Sequence, residues 1–322
     1  MEAPNELTTS EVRLRLVLHH EPEHDMGHKS KRLDEQVMVI TGASSGIGLC
    51  TARLAAEAGA RVVLVARSKD VLEQLAAEIQ AKGGHAAVAA ADVAERSQVE
   101  EAARIAVERF GRIDTWVNNA GLSIYGRLDE VSEEDSRRLF DINFWGVVNG
   151  SLAALPHLRK EGGCLINVGS EVSDAVIPLQ GMYAASKHAV KGFTDALRVE
   201  VDDVDQAPVH IVLIQPTAVN TPYPEHARNY MDQEPKLPTP MIDPEEVAKA
   251  ILKAATDGGR DVKVGTMSVL NTAMSKVLPS LADKMSAKQV DRQQRWEDPN
   301  KPQGTLYEAG HSGRTHGRAE AS

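Results

Sequence analysis

Cysteine is nearly absent. Cys50 and Cys164 are the only two in 322 residues, both among apolar neighbours, so no disulfide framework is implied and two buried, reduced thiols are expected. Basic charge is short as well: 36 Lys and Arg face 46 Asp and Glu, a formal net charge of −10. That leaves no electrostatic footprint for nucleic acid or anionic membrane, so the expected partner is a small molecule. Long apolar runs are missing too, none approaching the roughly 20 residues of a membrane span. The start, MEAPNELTTSEVRLRLVL, carries acids where a secretory signal needs a basic and then apolar segment. These absences point to a cytoplasmic protein with no membrane span.

What is present is alternation. From about residue 34, short β-branched runs alternate with helical patterns, which predicts βαβ units in a doubly wound, Rossmann-type α/β fold. The strands expected are 37–40, 61–66, 86–93, 114–120, 163–170, 209–216 and 261–265, making a mostly parallel seven-stranded sheet flanked by helices. Ser97 with Glu100 has the pattern of a capping box, Ser132 with Asp135 that of a simpler cap, and Gly59 and Gly83 fall where helices stop.

Residues 1–33 read as a polar arm. It holds His19, His20, His24 and His28, but Pro22 and Gly27 argue against the regular helix that would gather them, so no metal site is assigned. Residues 34–265 form the expected dinucleotide-binding domain. Within it, six prolines between 222 and 244 forbid a long helix and predict an ordered lid, with Tyr223, His226, Tyr230 and Met231 as candidate pocket walls. Residues 266–304 read as a helical extension whose apolar stripe, Met267 to Met285, predicts a docked helix interrupted at Pro279. Residues 305–322 read as a polar tail without core periodicity.

The most informative loop is TGASSGIG, Thr41 to Gly48, between the first strand and a helix. Small residues at Gly42, Ser44, Ser45, Gly46, Ile47 and Gly48 let main-chain N–H groups and the positive helix end approach a pyrophosphate. The same letters contain GASSG, which matches the elbow of a serine hydrolase with Ser44 as nucleophile. That elbow follows several earlier sheet strands, whereas this one follows the first. Arg67 stands one residue past the second strand, near where NAD-binding folds carry an acid for the ribose hydroxyls; Ala66 is no acid. A guanidinium there suits a 2′-phosphate and points to NADP. Asp92, at the end of the third strand, can accept from an adenine amine or cap the next helix.

YAASK places Tyr183 and Lys187 four residues apart, on one face of a helix. A neighbouring ammonium favours a phenolate, so this pair is expected to bring the Tyr183 phenol down toward neutrality. With TGxxxGxG, the NNAG of Asn118 to Gly121 and YxxxK in order, the chain resembles the short-chain dehydrogenase/reductase family, compact-core branch, from about residue 34 to 265. The resemblance implies a site residue by residue. Ser170 would hydrogen-bond the substrate oxygen, Tyr183 would act as general acid/base, Lys187 would lower its pKa and hold the nicotinamide ribose, and Asn143 would help place a relay water. It also implies cofactor contacts at Val93, Asn119, Ala120, Gly121, Pro216, Val219 and Thr221, and a homodimer or homotetramer packed through helices near 132–159 and 184–204. Two positions depart from the family pattern. Thr217 stands where glycine is frequent, and Glu171 beside Ser170 can face either the pocket or solvent. The activity implied is hydride transfer between NADP(H) and a carbonyl or secondary alcohol; the alternative is a dinucleotide-binding regulatory or scaffold protein that does no chemistry.

Overall fold

The computed structural model describes residues 30–318; the histidine-rich part of the arm lies outside them. The β-branched runs form seven strands: β1 Val37–Thr41, β2 Arg61–Ala66, β3 His85–Ala90, β4 Thr115–Asn118, β5 Gly163–Val168, β6 Val209–Pro216 and β7 Asp261–Val264. All neighbours pair in parallel, in the order β7-β6-β5-β4-β1-β2-β3. Every residue of β1 is buried because helices cover both faces of the sheet. Met38 and Ile40 point into one core with Leu49, Leu72 and Val247, and Val39 into the other with Val99, Leu155 and Leu197. That division follows from the two-residue period of a strand.

The helices are α1 Gly46–Glu57, α2 Lys69–Ala81, α3 Arg96–Phe110, α4 Glu133–Phe140, α5 Gly146–Glu161, α6 Gly181–Arg198, α7 Pro244–Asp257, α8 Thr266–Val277 and α9 Pro279–Ala287. The chain runs outward from β1 to β3, then returns to lay β4 on the other side of β1. A crevice opens at the carboxyl ends of the strands where the winding reverses. Ser132 caps α4 by accepting from the Asp135 N–H at 3.1 Å, as its spacing predicts. The capping box expected at Ser97 does not form. Helix α3 begins two residues earlier, at Arg96 after an N-cap at Glu95, and the Glu100 carboxylate instead accepts from Arg96 at 2.8 Å. Between α4 and α5 the helix widens into a π turn, Asp141–Trp145, which carries Asn143.

The C-terminal region departs further from expectation. Helix α8 docks most deeply through Ser268 and Thr272, which are buried; of the apolar stripe, Met267 and Met274 are half-buried, while Leu270, Val277, Leu278, Leu281 and Met285 are exposed. Small hydroxyl side chains allow close approach, and Ser268 donates to the Gln215 carbonyl at 2.8 Å. The tail also docks. Leu306 is only 1% exposed and packs in the core that holds Val93 and Leu122. The proline-rich stretch holds a short helical turn at Tyr223–His226 and two brief pairings. Arg228–Asn229 runs parallel to Ile124–Tyr125, and Glu234–Pro235 runs antiparallel to Gln294–Arg295.

Candidate active site

The glycine loop closes the carboxyl end of β1. Gly42 has a φ of +70°, and a Cβ on it would fall 2.7 Å from Asn119 Nδ2; a Cβ on Gly48 would fall 2.2 Å from the Gly42 carbonyl oxygen. Only glycine fits either place. Thr41 ties this loop to the NNAG segment after β4: its hydroxyl accepts from the N–H groups of Asn119 at 2.9 Å and Ala120 at 3.0 Å, and the Asn119 side chain donates to the Thr41 carbonyl at 2.9 Å. The two loops that flank the crevice are thereby held as one unit, with the N-terminus of α1 facing it.

The crevice is a continuous cleft. It is lined by Gly42, Ser44, Ser45, Gly46 and Ile47 from the glycine loop and by Arg67, Asp92 and Val93 from the ends of β2 and β3. Asn119, Ala120 and Gly121, then Ser170, Tyr183 and Lys187, then Pro216, Val219 and Thr221 complete the predicted set. Gly48 and Asn143 stand behind the surface. Asn143 is fully buried: its amide accepts from the Leu122 N–H at 2.9 Å and donates to the Leu122 carbonyl at 2.9 Å and to Ser186 Oγ at 3.0 Å. Ser186 in turn donates to the Tyr183 carbonyl at 2.7 Å. The Asn143 side chain is thus spent on locking the β4 loop to the helix that carries Tyr183.

Tyr183 and Lys187 share the first half of α6. Lys187 Nζ lies 5.8 Å from the centre of the Tyr183 ring and donates to the Val168 carbonyl at 2.8 Å, at the end of the strand that leads to Ser170. The three groups therefore converge. Their protonation differs from the sequence-based expectation. Burial raises the Tyr183 phenol, outweighing the Ser170 and Tyr223 hydroxyls that draw it down. Burial also brings Lys187 down to about 8. Desolvation penalises each charged form, and this outweighs the pull of an ammonium on a phenol that helix spacing alone suggests.

Glu171 turns inward and lines the cleft. Its carboxylate accepts from Thr217 Oγ1 at 3.1 Å and from Asn271 of α8 at 2.9 Å, so the two departures from the family pattern are bonded to each other. Burial holds its carboxyl above the usual range. Gly265 makes room for Thr217, since a Cβ on that glycine would meet Thr217 Cγ2 at 2.6 Å. Of the predicted walls, Tyr223 and His226 line the cleft and Tyr230 and Met231 do not. The Tyr230 hydroxyl is drawn away to Asp135 at 2.8 Å, and Leu237 and Pro238 take its place. Tyr223 stands edge-on to Tyr183, ring centres 5.5 Å apart, with its hydroxyl 3.1 Å from Gln180 Oε1. Asp92 caps its own turn through the Ala94 N–H at 3.0 Å and pairs with Arg138. Sequence reasoning missed the contribution of Thr305 and Gly310, which also line the cleft. No periodic signal marks them.

Comparison with known proteins agrees with this architecture. Residues 36–232 match the family model for short chain dehydrogenase. The chain is 44% identical over 287 residues to the uncharacterized oxidoreductase YxnA of Bacillus subtilis, covering 88% of this chain and 80% of that one. It is 32% identical over 269 residues to the putative oxidoreductase SadH of Mycobacterium tuberculosis, covering 81% and 97%. Among solved structures, a short chain dehydrogenase/reductase from Burkholderia phymatum in complex with NAD superposes with a TM-score of 0.70 at 25% identity, covering 78% of this chain and 96% of that one. An alcohol dehydrogenase from Thermococcus sibiricus complexed with 5-hydroxy-NADP gives 0.61 at 34% identity, covering 71% and 94%. Sequence, sheet order and cleft together make this chain an oxidoreductase of the short-chain dehydrogenase/reductase family.

Proposed function

We propose that the protein is an NADP-dependent oxidoreductase acting on a carbonyl or secondary alcohol, with Tyr183 as general acid/base. The observation that carries this reading is that one continuous cleft has Ser170, Tyr183 and Lys187 at one end and Arg67 at the other. The cleft suits a dinucleotide: the cradle at Gly42 and Gly48 leaves no room for a Cβ, and the donors beside it are N–H groups, the Ser44 and Ser45 hydroxyls and a guanidinium. Ile47 and the start of α1 would hold the pyrophosphate, Arg67 the 2′-phosphate, and Lys187 the nicotinamide ribose. When bound, the cofactor supplies or accepts the hydride.

Tyr183 then gives its phenolic proton to the carbonyl oxygen as charge grows there, and Ser170 donates a second hydrogen bond to that oxygen. A phenol kept protonated by burial is in the correct state for reduction at neutral pH. Alcohol oxidation reverses the transfer. Val172, Ile177, Leu237 and Pro238 exclude water around an apolar substrate body.

Steady-state oxidation of NADPH against a panel of carbonyls tests the reading. Tyr183→Phe is expected to lower kcat by orders of magnitude with NADPH affinity nearly unchanged. Arg67→Ala should erase a roughly ten- to hundredfold preference for NADPH over NADH by weakening NADPH alone. Ala66→Asp should reverse that preference, because a carboxylate repels the phosphate. NADPH binding without turnover of any carbonyl by the intact protein would favour the regulatory or scaffold reading instead. A cytoplasmic homodimer or homotetramer completes the proposal.

A further inference from the structure

The tail crosses the adenosine end of the cleft and takes up donors there. Arg67 donates to the carbonyls of Thr305 and, at 3.3 Å, Leu306; Ser68 donates to the Gly310 carbonyl; and the Gly46 N–H donates to the Arg314 carbonyl at 2.9 Å. The segment is fastened at both ends. Leu306 is buried in the core, and beyond the cleft Arg314 pairs with Glu225 at 2.6 Å and His316 with Asp243 at 2.9 Å. Both acids belong to the proline-rich stretch, Glu225 near its start and Asp243 near its end, so strap and lid are joined. Thr305 and Gly310 nevertheless line open space shared with Arg67, Ser68 and Asp92, so the tail walls the cleft without filling it.

We propose that residues 304–317 are part of the cofactor-binding site, a strap that closes the adenosine half of the cleft and slows exchange of the dinucleotide in both directions. This rests on reading the cleft as a dinucleotide site. The strand ends and the glycine loop provide a floor and one side for the adenosine; the strap provides the outer wall. A nucleotide of that length cannot pass between a wall and the groups bonded to it. It enters or leaves when the Gly46 and Ser68 bonds to the strap open. Arg67 keeps further N–H groups for a phosphate while two of its donors hold the strap. One residue thus links the wall to the cofactor.

Stopped-flow fluorescence of NADPH binding and release by the full chain provides the test. The double variant Arg314→Ala/His316→Ala removes the far anchor without touching any group assigned to the cofactor or substrate. Release and association are both expected to accelerate several-fold, the effect of losing two half-exposed anchoring pairs. A chain ending at Gln303 should go further; because it also loses buried Leu306, the double variant decides if the shorter chain fails to fold. Hydrogen exchange of amides 304–317 should slow when NADPH is present. Unchanged exchange rates in the double variant, or faster amide exchange on adding NADPH, would overturn the strap. If the intact chain binds neither NADPH nor NADH, the dinucleotide reading itself fails and the strap with it.

Discussion

Lys187 carries its ammonium where burial disfavours charge: it is 4% exposed, and its pKa falls from 10.5 to about 8. A group with a folded pKa below its unfolded value binds more protons when unfolded, so stability rises with pH between about 8 and 10.5 and is lost again as pH falls through that window. The shift corresponds to about 3 kcal/mol of penalty at neutral pH, at roughly 1.4 kcal/mol per unit. Lys187→Met should therefore raise the urea midpoint at pH 7 while weakening NADPH binding, and its advantage should shrink as the pH approaches 10.5. A variant no more stable than the parent at pH 7 would show that the ammonium is better solvated than its surroundings indicate. Asn143 teaches a related lesson. Its register marks it as a site residue, but its side chain works by fastening the loop after β4 to α6.

At the scale of elements, Asp135 on α4 joins three segments. It accepts from Arg228 and Tyr230 of the proline-rich stretch, at 2.8 Å each, and from Tyr307 of the tail at 2.8 Å. Burial raises its carboxyl, but the Tyr230 hydroxyl, the Arg228 guanidinium and the Tyr307 hydroxyl more than compensate and hold it below the usual carboxylate range. Its stabilisation is thus present above about pH 4 and lost as pH falls through the lowered folded value. Asp135→Ala should cost about 2 kcal/mol, since one partly buried guanidinium is left unpaired. Limited proteolysis should then cut the lid near 227–235 and the tail near 301–310 together. Cleavage of one without the other would mean the segments are not coupled through this residue. Little of this was legible beforehand: the prolines excluded a long helix between 222 and 244, but nothing in the spacing of Asp135, Arg228 and Tyr307 announced that they meet.

For the whole molecule, no helix of the described residues is long and apolar enough to cross a membrane. Yet large apolar side chains lie open on one copy of the chain, among them Trp145 and Leu152 on the helices expected to pair and Val199 at the end of α6. Trp145 is 52% exposed. Burying such side chains stabilises an assembly by about 25 cal/mol per Å² of apolar surface. The mass in light scattering is expected to be a multiple of 34.8 kDa, and Trp145→Asp should reduce it. Elution of the unaltered protein as a single 34.8 kDa species would end the oligomer proposal.

What the sequence determined by itself is what neighbours in the chain dictate. The two-residue and 3.6-residue periods set the strands and helices, the small residues after β1 set the loop that reaches the crevice, and YxxxK set two groups on one helical face. Those features depend on local geometry, and local geometry survives in the order of residues. The tertiary structure decided the rest. Arg67 and Leu306 are 239 residues apart, and only the folded chain brings the tail's carbonyls to that guanidinium. Helix α8 turned its small hydroxyl face inward and left Leu270 and Val277 of its apolar stripe outside, because the fit against β6 and β7 depends on shape as well as hydrophobicity. The pKa of Tyr183 moved upward because desolvation is a property of everything that surrounds a group, and no pair of residues four apart contains that information.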